Sequence, residues 1–394
     1  MTVAHEGRAD GARVGLATIA REWGRIGCIG FGGPPTHIAL LRQLCVESRK
    51  WIAAEDFEDG IAATNLLPGP ASTQLAIFSA WRLRGLVGAL VGGVCFIVPG
   101  LVLILALAAL FLAGDPPLWV RGAAAGAGSA VAAVAVQAAW SLVPASWKRA
   151  GPARSARTRW IGYGMAGGTT AALTGPWLVL VLVAAGLVEV AVRSGSGPAV
   201  VRRMRSWPLL AVAPVASGGL LALAWVSLKV GALSYGGGFV IIPLMQADAV
   251  DRYHWMSDGQ FLNAVALGQI TPGPVVQTVA VVGFAAAGVG GGLLAAAVAF
   301  APSFVFVILG APRFDRLRVN LRVQAFLTGA GPAVIGAIAG SAIPLALAMQ
   351  HVWQFGVLAA AAIWLLTGRR SVVTALLGAG VLGVALALAG WPVT

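Results

Sequence analysis

The sequence predicts an all-α polytopic membrane protein built from two inverted repeats, with helices broken by glycine and by Pro-Gly-Pro. Three observations carry that expectation. Of 394 residues, 58% are apolar and only 10% charged, with a mean hydropathy of +0.86; soluble chains carry about 25% charged residues. The run Leu67-Pro68-Gly69-Pro70 returns as Thr271-Pro272-Gly273-Pro274 at an offset of 204. Basic clusters alternate with apolar stretches in the pattern that sets membrane topology.

The apolar stretches come first. Crossing a bilayer takes about 20 apolar residues, and Leu86–Ala113, Gly122–Val143, Pro208–Leu228, Gly290–Leu309 and Val372–Gly390 are of that order. An earlier segment, Val14 to Phe31, is interrupted by Arg21, Glu22 and Arg25. The first dozen residues are polar and precede no cleavable apolar core, so no signal peptide is expected. A net charge of +13 would suggest nucleic acid in a soluble chain. Here the basic residues fall in loops, and no nucleic-acid partner is expected. Cys28, Cys45 and Cys95 have no pairing or metal-ligand spacing, so neither metal nor cofactor is implied.

The echo extends well beyond the prolines. In one ungapped register, Gly27/Gly231, Gly32/Gly236, Gly33/Gly237, Trp51/Trp255, Phe57/Phe261 and Pro68-Gly69-Pro70/Pro272-Gly273-Pro274 coincide. An Ala- and Gly-rich chain matches itself by chance at Ala and Gly, but does not readily align a Trp, a Phe and a Pro-Gly-Pro together. The expected organisation is a first repeat over 1–192, a basic cytoplasmic linker over 193–206, and a second repeat over 207–394. Basic clusters at Lys148–Arg159, Arg193–Arg205, Arg313–Arg322 and Arg369-Arg370 belong on the cytoplasmic side. The loop with four arginines in the second half, Arg313 to Arg322, corresponds to Gly114-Asp115-Pro116-Pro117 and a single Arg121 in the first. Equivalent loops of opposite charge bias imply opposite sides of the membrane, hence inversion.

Each half has an apolar helix, a glycine break, an amphipathic stretch, a Trp, an acidic patch, and then Pro-Gly-Pro with a further helix. The breaks are Gly32-Gly33-Pro34 and Pro68-Gly69-Pro70 in half one, and Gly236-Gly237-Gly238 and Pro272-Gly273-Pro274 in half two. Proline drives its predecessor out of the α region and lacks an N–H. Pro70 and Pro274 suit the first position of a new helix, whose free N–H groups and positive dipole end attract anions. Prolines that merely kink packed helices are the alternative. Matched breaks in two halves favour a binding site between them, as in secondary transporters.

Polar residues flank the breaks. Asn65 and Gln269 align and are the leading candidates to orient a ligand; Gln74 and Gln277 lie one position out of register, and Thr73 and Thr271 also adjoin the loops. Buried Ser and Thr often bond their own helix carbonyls instead, which ranks Ser72 and Thr278 lower. Arg25 aligns with Lys229, each seven residues before a glycine pair. Two readings stand for this pair: cations opposing a dianion near the pseudo-twofold axis, or side chains snorkelling to the interface. Glu47 aligns with Asp251, and either could carry a coupling proton, although a solvated place near a helix start is the simpler reading. Glu189 is expected at a helix end and His37 as a packed imidazole. Nothing resembles a nucleophile triad, a nucleotide loop or a metal cluster, so an enzyme is disfavoured.

Phe31-Gly32-Gly33-Pro34, His37-Ile38-Ala39-Leu40, Trp51, Leu66-Leu67-Pro68-Gly69-Pro70-Ala71-Ser72-Thr73-Gln74, Gly236-Gly237-Gly238, Gly268-Gln269 and Pro272-Gly273-Pro274-Val275 together resemble the chromate ion transporter family in its long, two-domain form. The resemblance covers essentially the whole chain, and the run from Leu66 to Gln74 is highly specific. Asn65 stands where the family usually has Gln, and Tyr235 where it has Phe. The resemblance implies export of chromate from the cytoplasm across the bacterial inner membrane, driven by the proton-motive force, with chromate resistance as the outcome and sulfate as a similar oxyanion. The partners it implies are the bilayer, a small oxyanion and protons, with a homodimer as a further assembly to test.

Overall fold

The computed structural model describes residues 14–65, 67–112, 114, 116–173, 177–194, 219–234, 241–310, 319–368 and 371–393. The glycine break Gly236-Gly237-Gly238, the turn at Gly175-Pro176 and the arginines at 202, 203, 205, 313, 316, 318, 369 and 370 lie outside the described residues. Among the described residues the chain is helical and has no strand. In the first half run α1 (Leu16–Ile29), α2 (Pro34–Arg42), α3 (Ala54–Thr64), α4 (Ala71–Phe111), α5 (Leu118–Ala150), α6 (Arg154–Leu173) and α7 (Leu178–Arg193). In the second run α8 (Leu220–Leu233), α9 (Ile241–Gln246), α10 (Asp258–Ile270), α11 (Thr278–Gly310), α12 (Leu321–Leu347), α13 (Val352–Gly368) and α14 (Val372–Leu388). Segments containing α4, α5, α11 and α12 are long and apolar enough to cross a membrane. The protein is an all-α, polytopic membrane protein.

Backbone irregularities recur at nearly the same offset as the sequence echo. α2 runs into a π-helical turn over Gln43–Ser48, and α9 into one over Ala247–Arg252. Lys50 and His254 each close that turn with φ of 51°. The Trp51 N–H then reaches back to Cys45 O at 2.7 Å, as the Trp255 N–H does to Ala249 O at 2.8 Å. α4 is interrupted by non-helical Arg84 and Gly85, and α11 by Ala287 and Gly288.

These last interruptions reverse the chain. A Cβ on Gly92 would overlap that of Ala80, and one on Gly291 would overlap the Gly283 carbonyl oxygen. In a straight helix, residues eight or twelve apart stand about 12–18 Å away. Each element is therefore two arms. A short arm, 71–83 in half one, begins at Pro-Gly-Pro and is about 20 Å long, less than the ~30 Å hydrocarbon core. A longer arm, 86–111, runs back past it. The sequence placed the start of its apolar stretches, Leu86 and Gly290, at these returns.

Small residues let the helices touch. Gly27 of α1 meets the Phe96 carbonyl, and Gly231 of α8 meets that of Ala299. The halves are also interlaced: α6 and α7 pack along α12, while α13 and α14 pack along α5. The contacts are backbone to backbone, with Gly167 against Ala333, Gly336 against Gly164, and Gly126 against Ala379. Lipid provides no hydrophobic drive between helices, so close van der Waals approach through small residues holds such seams.

Gly167→Val should destabilise the purified protein by about 1–3 kcal/mol through overpacking, read as earlier thermal unfolding. Gly162→Ala, in the same helix but facing open space, should leave the transition unchanged.

Candidate functional site

The two Pro-Gly-Pro loops cross where the first helix of each half ends. The Gly69 N–H donates to Ser234 O at 2.6 Å, and the Gly273 N–H donates to Gly30 O at 3.1 Å. Gly30 and Ser234 are the residues that close α1 and α8. Each loop thus bonds the opposite half, reciprocally. Turning the amide outward requires φ of +120° at Gly69 and +106° at Gly273, a region that glycine enters without a Cβ clash. Pro70 and Pro274 serve as N-caps, one position before the first helical residue where the sequence placed them. After Pro70 an α-helix begins at once; after Pro274 a 3₁₀ turn, Val275–Gln277, comes first. Neither N-cap offers a capping side chain, so the leading N–H groups keep their positive ends unmatched by a cap.

Around this crossing, buried polar atoms have no hydrogen-bond partner within the protein. They include Thr73 Oγ1, Gln74 Oε1, Ser234 Oγ, Gln269 Nε2, Gln277 Oε1 and Ser303 Oγ. Gln74 Nε2 donates to Pro68 O at 2.6 Å, and Gln277 Nε2 donates to Ile97 O at 2.8 Å. A carbonyl only accepts, so both amide orientations are fixed. The hydroxyls and the Gln269 amide are donors in reserve. Leaving buried polar groups unpaired costs about 1–3 kcal/mol each, and such groups call for an explanation such as a ligand or ordered water.

His37, predicted as a packed imidazole, ties three elements together. Its Nε2 donates to Gly30 O at 2.8 Å, its Nδ1 lies 3.2 Å from Ser72 Oγ, and its ring meets Phe96 edge-on at 5.0 Å. Gly30 O thereby accepts from His37 and Gly273 together. Gly32 and Gly33 have positive φ and lead into Pro34, the first residue of α2.

Arg25 and Lys229 stand about one and a half turns below Gly30 and Ser234 on their helices, and each has a carboxylate partner. Lys229 Nζ lies 2.5 Å from Asp248 Oδ2, with both side chains mostly buried. Arg25 is exposed and lies 3.5 Å from the buried Glu22. Asp248 was not singled out from sequence, and Glu22 only as an interruption of the first apolar segment. The available signal was an acid inside an apolar segment, which is costly unless paired. Asn65 and Gln269, aligned in sequence, part company in space: α3 carries an acidic outer face that puts Asn65 at the surface, whereas α10 is buried from Phe261 almost to its end. Thr271 bonds back to Leu267 O at 2.8 Å and Thr278 to Val275 O at 2.8 Å. Glu47 is exposed beside Arg42 at 3.6 Å. Asp251 is exposed too; its residual burial and the neighbouring Asp258 raise its pKa above the ordinary value. Glu189 is buried and held by Arg159 and Arg193, each at 2.8 Å.

The sequence model of the chromate transporter family matches residues 17–190 and again 221–384. The chain belongs to the chromate transporter family. A chromate transport protein of Cupriavidus metallidurans is 33% identical over 330 residues, 82% of this chain and 80% of that protein. One from Pseudomonas aeruginosa is 30% identical over 333 residues, 82% and 79% of the two chains. An uncharacterized transporter of Methanocaldococcus jannaschii is 26% identical over 324 residues, 75% and 76%. No solved structure matches the chain. Membership makes the protein a transporter, with a small oxyanion as the substrate class of the family. The crossing of the broken helices is the candidate place for it.

Lys229→Met should strand the Asp248 carboxylate and cost about 3–5 kcal/mol, seen as a lowered unfolding temperature. The double variant Lys229→Met/Asp248→Leu should recover most of the loss.

Proposed function

We propose that the protein exports chromate from the cytoplasm across the bacterial inner membrane, driven by the proton-motive force, and so confers chromate resistance. The supporting observation is the crossing of the two Pro-Gly-Pro loops, flanked by buried donors with no protein partner: the Thr73, Ser234 and Ser303 hydroxyls and the Gln269 amide. Chromate is a tetrahedral dianion. Helix N-termini, hydroxyls and amide N–H groups stabilise such a charge without a fixed counter-ion at the site. In this reading Gln269 and Thr73 donate to the ion, the first-turn amides after Pro70 and Pro274 supply backbone donors, and Gln74, Gln277 and Thr271, which already donate to backbone carbonyls, hold the loops around it. Asn65 serves the approach rather than the crossing. Arg25, loosely held beside Glu22, contributes positive potential from about one and a half turns away, whereas the charge of Lys229 is neutralised by Asp248.

The mechanism is alternating access. The halves are inverted repeats, residues 1–192 and 207–394 joined by the basic segment 193–206, and one rocks against the other. The reciprocal bonds at Gly69 and Gly273 are the contacts that such a motion exchanges. The coupling proton has two candidates at repeat-equivalent positions, Glu47 and Asp251.

The deciding measurement is chromate uptake into everted vesicles energised by respiration, with an uncoupler lane and an excess-sulfate lane. Export predicts protein-dependent uptake that the uncoupler abolishes. Uptake indifferent to the uncoupler would replace the pump with a passive anion channel, and no uptake would favour an importer or exchanger of sulfate. Glu47→Gln or Asp251→Asn, whichever residue carries the proton, should blunt uptake driven by an imposed pH gradient while chromate still binds.

A further inference from the structure

A second charged constellation lies apart from the crossing. A cavity of ≈420 Å³ opens beside α1 and the π-helical turn that follows α2, lined by Glu22, Arg25, Gln43, Ser48 and Arg49, with Ile26 and Ile29 leading along α1 toward Gly30. Glu22 is its buried charged member, with a side chain 8% exposed, and three guanidinium groups surround it. None holds it closely: Arg25 is 3.5 Å away, Arg49 3.4 Å and Arg21 3.5 Å. The contrast with Glu189 is informative, since two arginines grip that carboxylate at 2.8 Å. Charge-assisted bonds normally close to about 2.7–2.9 Å. Glu189 has the geometry of a structural pair, whereas Glu22 sits loosely within an arginine cage that opens onto a cavity.

The equivalent positions in the second half differ. Glu22 corresponds to Val226, Arg49 to Tyr253, and Leu44 to Asp248. There Lys229 is consumed by a 2.5 Å pair, and Arg252, in the place of Ser48, stacks on the Tyr253 ring. The loosely held surplus of guanidinium groups therefore belongs to one half.

We propose that this cavity is a vestibule for a tetrahedral oxyanion, bound by Arg25 and Arg49, and that the Glu22 carboxylate is its resident competitor. When no anion is present, Glu22 satisfies the arginines. An arriving oxyanion, presenting oxygen acceptors on every side, takes the same N–H donors and releases the carboxylate. Guanidinium forks suit this exchange because their planar donors match carboxylate and tetrahedral oxyanion alike. The ion would then stand about 7.5 Å along α1 from Gly30, at the approach to the crossing. This rests on the reading of the chain as an oxyanion transporter, and adds an outer site with a built-in affinity setting. A free oxyanion and the phosphate of an anionic lipid headgroup share this chemistry.

The test is equilibrium binding of radiolabelled chromate, with sulfate as competitor, to the full chain in zwitterionic nanodiscs. Glu22→Gln keeps the side chain's shape and removes the competing charge, so affinity should rise about tenfold. Arg49→Gln should lower wild-type affinity about tenfold and cancel the gain in the double variant, since charged hydrogen bonds of about 1.5–3 kcal/mol correspond to at least that factor. Gel filtration and thermal unfolding establish that each variant is folded; if Arg49→Gln is not, Arg49→Lys, which keeps charge but loses the fork, should show a smaller loss. Should the gain in Glu22→Gln appear instead as phosphatidylglycerol retained through purification, the oxyanion is a headgroup. Chromate binding that neither Glu22→Gln nor Arg49→Gln changes, with no change in retained lipid, overturns the vestibule and leaves the transporter reading standing. No chromate or sulfate binding to any variant, and no retained anionic lipid, overturns both.

Discussion

Backbone interrupted inside an apolar interior must find its hydrogen bonds within the protein, because lipid supplies none. That constraint organises this molecule. The two Pro-Gly-Pro loops answer it together, each donating a glycine N–H to the carbonyl that closes the first helix of the other half. Neither half could satisfy these groups alone in the same geometry. The His37 imidazole reinforces one side by sharing Gly30 O and reaching Ser72. Among what the crossing leaves unmatched, the first-turn amides, the Thr73, Ser234 and Ser303 hydroxyls and the Gln269 amide are donors of the kind an oxyanion needs.

Glycine works at a larger scale as well. The long helices would stand further apart with any side chain at Gly27, Gly126, Gly167, Gly231 or Gly336, where a Cβ would meet a neighbouring carbonyl. These contacts set the position of α1 against the returning arm of α4, and of α8 against that of α11, so they place Gly30 and Ser234 where the loops can reach them. Charge is handled more sparingly. Lys229 and Asp248 neutralise each other in the second half, while the first keeps a looser cage of arginines around Glu22.

Much of this was legible in the sequence. The Pro-Gly-Pro echo located the crossing, the apolar stretches beginning at Leu86 and Gly290 marked two long apolar helical segments, and the motif run from Leu66 to Gln74 located the family. Other features were not. Asn65 and Gln269 align, yet only Gln269 is buried, because burial depends on the outer face of the preceding helix and not on the aligned position. Asp248 went unnoticed beside Asp251, one turn further on. A carboxylate's partner is set by which helix packs opposite, and a one-dimensional alignment of halves does not contain that. The reversals at Gly85 and Gly288 left only a glycine on an apolar run, the same mark as ordinary close packing.

The interlacing of the halves has a consequence in time. Helices α6 and α7 rest on α12, which begins at Leu321, long after α7 ends at Arg193. At about 5–20 residues per second, that partner emerges on the order of ten seconds later. For that interval the pair lacks the helix that covers Gly164, Gly167 and Gly168. Helix α5 waits longer still, since α14 begins only at Val372. The first half is thus finished by the second, and the order of synthesis becomes part of how the fold closes.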